Sequence, residues 1–408
     1  MKRLAVETLR VGQSFTEPVY IEGNSLLVPA GIAIRKKDLD QLKNWGIDVV
    51  TTNGEVIAES AVPAKVAAPS AKAAASSADA GKTTKTSTPI IAKNGQASIL
   101  SLPAVQANKT VYRAYMDLIE RLDEVFGQIG SGLSVETRSI DAIASRLLGA
   151  VRENRDQIIG FILGGEVSGH ELAKSSVNAA ILSTLIAMEM KLPNHKILQI
   201  TTGALLHDVG MLKLPREIVE KKGGLSEAEI LRMKAHPLYA FKIVCKELLY
   251  PEDIGIIGLQ HHERWDGEGY PRRTAGDAID LGARIVSVAD AFEAMVSEKP
   301  YRNSMIGYSA MKNLLSDNSR RFDPDVLKAF IKTLGIYPIG SIVLLNNGAV
   351  ARVVVVHGEA PLRPTIRILI DEFGKSFAQD EGDIVDLLTE KSLFIARALN
   401  PKEFVTPL

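Results

Sequence analysis

His261-His262-Glu263-Arg264-Trp265-Asp266-Gly267-Glu268-Gly269-Tyr270-Pro271 is the stretch on which the reading of this chain turns. Adjacent histidines beside acidic residues, followed by a glycine-broken loop, are costly to keep for stability alone and point to metal chemistry. The chain holds seven histidines, and four of them fall between positions 207 and 262. One heads His207-Asp208 and another stands in His236-Pro237. Such clustering is what a polynuclear metal site requires.

Working outward, His207 and Asp208 follow Thr202-Gly203-Ala204-Leu205-Leu206, an apolar helical run that ends in two metal-capable side chains. Neutral imidazole plus carboxylate is a ligand mixture that iron, manganese or zinc accepts. An isolated His-Asp pair has a bland explanation, a capped helix end. The reading changes because His236, His261, His262 and Asp290 occupy helix-compatible segments of the same region. Together these potential ligands exceed what one metal needs. Two metals bridged by a carboxylate such as Asp208 supply a nucleophile at neutral pH and a Lewis-acid clamp for a phosphoryl oxygen. Phosphodiester hydrolysis is the natural reaction, with Asp208 and His207 as the candidate catalytic pair.

The surrounding pattern is helical. From 108 to 334 apolar residues recur at helix spacing, as in Tyr112-Tyr115-Leu118-Ile119-Leu122 and Val177-Ile181-Leu182-Leu185-Ile186. Residues 105–337 are therefore expected to form an all-helical domain. Residues 1–57 read as a small α+β module. There Val19-Tyr20-Ile21 and Leu26-Leu27-Val28 flank Gly23-Asn24 as a hairpin, a short helix covers 37–44, and a strand covers 47–51. Between 58 and 104 the chain turns to Ala, Ser, Lys, Thr and Pro, a flexible linker. A helix over 64–80 is the alternative, opposed by Pro63, Pro69 and the serines. The tail, 338–408, alternates β-branched runs with turn signals, notably Ile342-Val343-Leu344-Leu345, Asn346-Asn347-Gly348, 353–356 and 365–370. It reads as a small β-rich unit, so the fold class is mainly α.

A length of 408 residues suggests two or three domains. With 48 basic and 48 acidic side chains, no global field draws the protein onto DNA, RNA or an anionic membrane. Any anion site must be local. The single cysteine, Cys245, cannot form an internal disulfide and reads as a small buried side chain in a reducing compartment. The start, Met1-Lys2-Arg3-Leu4-Ala5-Val6-Glu7, has no uninterrupted apolar run behind it, so neither a signal peptide nor membrane insertion is expected, and the reading is cytoplasmic.

The order of these blocks resembles the HD-GYP family, a branch of the HD phosphohydrolase superfamily whose members hydrolyse the bacterial messenger cyclic di-GMP. Matching pieces run from His207-Asp208-Val209-Gly210 through His236-Pro237 and the 261–271 stretch. They continue through Ala283-Arg284-Ile285-Val286-Ser287-Val288-Ala289-Asp290-Ala291-Phe292 and Lys299-Pro300-Tyr301-Arg302 to Phe322-Asp323-Pro324. The resemblance implies that His207, Asp208, His236, His261, His262 and Asp290 ligate metal, with Asp208 between the ions. It places Tyr270 in the nucleotide pocket, where its ring offers a stacking face and its hydroxyl a polar contact. It sets Lys299 and Arg302 against the substrate phosphates, although Lys299 puts a point charge where the family uses arginine. The implied cofactors are two or three divalent ions; oxygen and nitrogen donors without a thiolate favour iron or manganese.

Two departures touch the site. In Ser175-Ser176-Val177-Asn178-Ala179-Ala180, serine occupies the place of the family's first histidine ligand. Glu171, one helical turn earlier, matches a carboxylate used by three-metal members. His170 points to a different helix face and would need a local break near Gly169 to substitute. Met211 stands where the family has a lysine near the scissile phosphate, and a thioether cannot stabilise developing negative charge. Lys213 points elsewhere. Arg272-Arg273-Thr274 replaces a Gly-Leu segment, and Asp280 stands at a proline position.

The expectation is a phosphodiesterase that hydrolyses cyclic di-GMP to pGpG or GMP. The alternatives are a degenerate sensor that binds cyclic di-GMP, or a partner protein, without turnover, and a hydrolase of another cyclic dinucleotide or phosphate ester. A homodimer through helices between 108 and 163 and packing of those helices onto their own domain explain their amphipathic pattern equally well.

Overall fold

The computed structural model describes residues 2–21, 25–28, 30–36, 38–39, 42, 47, 49–57, 109–164, 170–221, 223–297, 307–316, 320–377 and 381–399. Most of the expected 37–44 helix, the 58–104 linker, Lys299 and Arg302 lie outside the described residues. The first unit contains β1 (Lys2–Ala5), β2 (Ser14–Phe15), β3 (Val19–Ile21), β4 (Ser25–Val28), β5 (Val49–Thr52) and β6 (Val56–Ile57). Its strands pair antiparallel in the order β1-β5-β3-β4, with β2 and β6 forming a separate ribbon. Val19 and Ile21 point inward while Tyr20 between them is half-buried, the two-residue period of a strand. With Phe15, Val28, Leu42 and Val50 they make a core of their own.

The helical unit comprises α1 (Lys109–Gly130), α2 (Thr137–Glu153), α3 (Arg155–Gly164), α4 (Glu171–Glu189), α5 (Asn194–Leu206) and α6 (Arg216–Val219). It continues with α7 (Glu227–Met233), α8 (His236–Lys242), α9 (Glu252–Gln260), α10 (Leu281–Val296), α11 (Gly307–Ser316) and α12 (Pro324–Leu334). α1 is a surface helix whose stripe of Val111, Tyr115, Leu118, Ile119, Leu122, Val125, Phe126 and Ile129 faces the core. α4 differs, because Ser176 to Ala187 are all buried, so it runs through the middle of the unit. α1, α5, α10 and α12 pack around it. The chain from α5 to α10 carries the expected ligands His207, Asp208, His236, His261, His262 and Asp290.

The last unit is a five-stranded antiparallel sheet of β7 (Ile342–Leu345), β8 (Val350–Val355), β9 (Thr365–Ile370), β10 (Ile384–Asp386) and β11 (Ile395–Ala398), ordered β10-β9-β8-β7-β11. Its core draws in Tyr337 and packs against Tyr308 of α11, the two rings stacked with centroids 5.2 Å apart. The sheet thus meets the helical unit through an aromatic contact. No helix among the described residues is long and apolar enough to cross a membrane.

Candidate metal centre

Four short structural devices bring the imidazoles and carboxylates together. His207 closes α5, and Asp208 opens a 3-10 turn at Val209–Lys213. Gly210 lets that turn lie on the start of α8, since a Cβ there would sit 2.0 Å from the His236 carbonyl oxygen. His236 begins α8 with Pro237 in the first turn, where a missing N–H costs nothing. His261 and His262 follow the end of α9, and Asp290 projects from α10, whose start is capped by Asp280 accepting from Gly282 N at 2.8 Å. Asp280 thereby does structural work at its proline position.

Six of the expected ligands converge. One donor group contains Asp208, His236, His261 and His262, and another contains His207, His261 and Asp290, with donor atoms in each group within 4.8 Å of one another. Nδ1 of His207, His236 and His261 lies 2.7 Å from the carbonyl oxygens of Ala204, Met233 and Gly258 respectively. A carbonyl can only accept, so each Nδ1 carries its proton and donates it outward. For a neutral ring, the Nε2 lone pair is then left facing the centre. His236 Nε2 and His261 Nε2 stand 3.4 Å apart, two such lone pairs turned toward each other. Among the described residues His207 Nε2 is buried without a hydrogen-bond partner, 3.5 Å from Asp208 Oδ2 and 3.7 Å from Asp290 Oδ1. Donors held about 2.0–2.2 Å from one ion stand roughly 3–4 Å apart, so this spacing fits a shared cation better than a direct hydrogen bond. The donor set, all imidazole nitrogen and carboxylate oxygen, suits divalent transition metals.

Charge follows the same geometry. Burial would raise the Asp208 carboxyl, but the His207, His236 and His261 imidazoles outweigh it and hold it well below the usual carboxylate range. Asp290, likewise buried but facing His207, is held down to about 2. Burial pulls His207 down, yet Asp208 and Asp290 overcome it and push this imidazole up to about 9. Burial lowers His261, and it lowers His262 further with help from the neighbouring histidines. Both rings are therefore neutral at pH 7, as ligation requires.

Tyr270 closes the other side. Its ring stacks on His262 with centroids 4.7 Å apart and lies 6.5 Å from His236. One ring face is thus occupied by His262, which leaves less of the tyrosine for a base than its sequence position suggests. Burial, then the Asp208 and Asp290 charges, push its hydroxyl upward, so it remains a proton donor. The peptide between Tyr270 and Pro271 is cis. Gly269 presses on the backbone of the histidine segment, for a Cβ there would lie 2.4 Å from Arg264 N.

Other expected residues stand apart. Glu171 is exposed at the first position of α4 and belongs to neither donor group. His170 pairs with Asp123 at 2.6 Å, outside the centre. Ser175 donates to Glu293 Oε2 at 3.0 Å, so its hydroxyl is directed to a buried carboxylate of α10. Lys213 faces Glu247 at 3.6 Å.

Three contributors had no assigned role in the sequence reading. Glu263, only 2% exposed, accepts from Arg272 N at 2.7 Å and Thr274 N at 3.0 Å, which anchors the loop after Tyr270. Arg284 bridges to Asp323 at 2.8 Å and lies over Trp265, tying together three of the blocks that carry the family resemblance. Lys234 places its ammonium 5.3 Å from the centre of the Tyr270 ring. Glu263, an acidic side chain next to the paired histidines, and Arg284, inside a matching block, carried a sequence signal; Lys234 carried none.

Comparison with known proteins identifies the segment that holds these residues. A family profile described as an HD domain matches residues 141–326, and one described as a KOW domain associated with HD domain matches 342–406. The chain is 32% identical over 228 residues to the cyclic di-GMP phosphodiesterase PdeB of Borreliella burgdorferi, covering 56% of this chain and 60% of that protein. It is 32% identical over 200 residues to a cyclic di-GMP phosphodiesterase of Pseudomonas aeruginosa, covering 49% and 48%. A 3'3'-cGAMP-specific phosphodiesterase of Vibrio cholerae is 34% identical over 166 residues, covering 41% and 36%. The chain therefore spans about half of the length of the curated relatives it matches. Residues 141–326 thus match an HD domain, a metal-dependent family, and the histidines and aspartates of that segment form a cluster that could hold metal.

Proposed function

We propose that this chain is a metal-dependent phosphodiesterase that hydrolyses cyclic di-GMP to pGpG or GMP, the chemistry residing in residues 105–337. The observation that carries this reading is the set of three buried imidazoles whose Nδ1 protons are committed to backbone carbonyls, facing two anionic carboxylates. Bound divalent ions, iron or manganese for this donor set, supply a nucleophile at neutral pH and a Lewis acid for a phosphoryl oxygen. Asp208 directs Oδ2 toward His207 at 3.5 Å and Oδ1 toward His236 at 3.2 Å and His261 at 3.6 Å. Its two oxygens thus face different imidazoles, and Asp208 would be the carboxylate shared between two ions. The two donor groups have His261 in common, and Glu171, which a third ion would need, stands outside both.

The remaining residues bind and orient. The Tyr270 hydroxyl, kept protonated, donates to an oxygen of the nucleotide beside His262. Lys299 and Arg302 neutralise its phosphates. Glu263 holds the loop that carries Tyr270 at a fixed distance from the histidines.

Ser175 favours a second reading, a sensor that binds cyclic di-GMP without turnover, because its hydroxyl is engaged with Glu293 and supplies no imidazole. Metal analysis of protein purified without oxygen, followed by turnover with added manganese or iron, separates the two. The expected outcome is metal-dependent product that falls by at least ~100-fold in Asp208→Ala, more than the loss typical of a residue behind a ligand. Metal and nucleotide bound with no product formed would establish the sensor.

A further inference from the structure

We infer that Lys234 supplies a further cation, in addition to Lys299 and Arg302, that holds the second, non-reacting phosphodiester of the nucleotide. This rests on the cyclic di-GMP reading above. Lys234 follows the last residue of α7, and its N–H donates to Ile230 O at 2.9 Å, so its backbone is part of the helix end. The preceding residue, Met233, offers its carbonyl to His236 Nδ1 at 2.7 Å. The backbone that carries Lys234 is thereby hydrogen-bonded to one of the proposed ligands. From there the ammonium reaches over the Tyr270 ring, 5.3 Å from its centroid. Tyr270 in turn stacks on His262, which places a positive charge at the rim of the donor cluster.

Two other lysines of this region among the described residues are already paired. Lys221 contacts Glu229 at 2.7 Å and Lys213 contacts Glu247 at 3.6 Å. Lys234 has no carboxylate within ion-pair distance among the described residues, and it is exposed, so little desolvation opposes its use. Met211, in the 3-10 turn beside Asp208, presents a thioether that neutralises nothing.

A cyclic dinucleotide carries two phosphodiester monoanions on opposite sides of its ring. When one lies at the reacting centre, the other must extend beyond the cluster toward its rim. A flexible four-carbon stem with three rotatable donors can follow that second phosphate. The ring contact with Tyr270 is weak enough at an exposed site to be exchanged for a charge-assisted bond. Lys234 is thus a specificity residue for substrates with two phosphates.

The test compares cyclic di-GMP with bis(4-nitrophenyl) phosphate, a diester with one phosphate, on the full-length metal-loaded protein. Lys234→Ala is expected to raise KM for cyclic di-GMP about tenfold, with kcat little changed, and Lys234→Arg to restore most of it. The rise should exceed that for the one-phosphate diester by roughly fivefold or more, while Lys328→Ala, on the exposed side of α12, leaves both unchanged. Where the wild type binds without turnover, the same comparison is read from Kd. A KM for cyclic di-GMP unchanged within twofold, or an equal shift for both substrates, overturns this role for Lys234 and leaves the proposed function standing. A wild type that neither binds nor cleaves cyclic di-GMP overturns the proposed substrate and this inference together.

Discussion

His207, His236 and His261 have each surrendered one nitrogen to a backbone carbonyl, and that small commitment determines what the other nitrogen can do. His207 has the largest electrostatic consequence, because Asp208 and Asp290 lift its pKa to about 9 against the pull of burial. That is above the ordinary value of about 6.5, so the proton on His207 stabilises the fold of ion-free protein. The contribution is complete below pH ~6.5 and disappears as pH rises through about 9. The lowered values of His261 and His262 act only below pH ~6.5, where the unfolded chain takes up protons first, and leave the alkaline window to His207. The melting temperature of chelator-treated protein should therefore fall between pH ~6.5 and ~9.5, and added manganese should restore it by taking the place of that proton. Thermal melts across that range check this, and a flat profile would show that His207 is not held between the carboxylates. Ser175 illustrates how far a single residue can be read from sequence: its departure from the histidine position was visible, but its bond to Glu293, far along the chain, was not.

Elements meet at the centre through close backbone approach, and Gly210 is the tightest case. An added Cβ would lie 2.0 Å from His236 O and 2.6 Å from Ala240 N, both backbone atoms of α8 that cannot rotate away. Gly210→Ala should destabilise the protein by about 1–3 kcal/mol and shift His236 relative to Asp208. Denaturant unfolding and metal content measure the two effects. Gly127→Ala in α1, with open space around it, is the matching control and should stabilise by about 0.5–1 kcal/mol. Equal effects of the two substitutions would mean that the contact between the 3-10 turn and α8 is not what holds His236. At this scale the period of apolar residues anticipated the long helices, and the β3–β4 hairpin appears as its flanking runs suggested. The short elements were less legible. α6, α7 and the turn at Val209–Lys213 bury few residues of their own and take shape from the helices around them.

Across the whole molecule, the C-terminal sheet leans on the end of the helical unit through Tyr308 and Tyr337, Ile336 N bonding to Pro361 O at 3.3 Å, and Lys332 pairing with Glu359 at 3.0 Å. A chain ending at residue 340 exposes the aromatic contact, and its melting temperature should fall by several degrees, about what 1–2 kcal/mol produces in a domain of this size. Its metal stoichiometry should persist, since every proposed ligand lies between 207 and 290. Loss of metal together with the sheet would show that the sheet supports the centre directly. By itself, the order of residues determined the family resemblance, the mainly helical class and seven candidate metal-binding side chains, of which Glu171 stands apart, because hydrophobic period and donor chemistry are local properties of a chain. Only the tertiary structure decided that His236 and His261 face each other, that Tyr270 spends one face on His262, and that Lys234 stands at the rim. Those relations depend on how distant helices pack, and nothing in the spacing of residues along one helix records the distance to another.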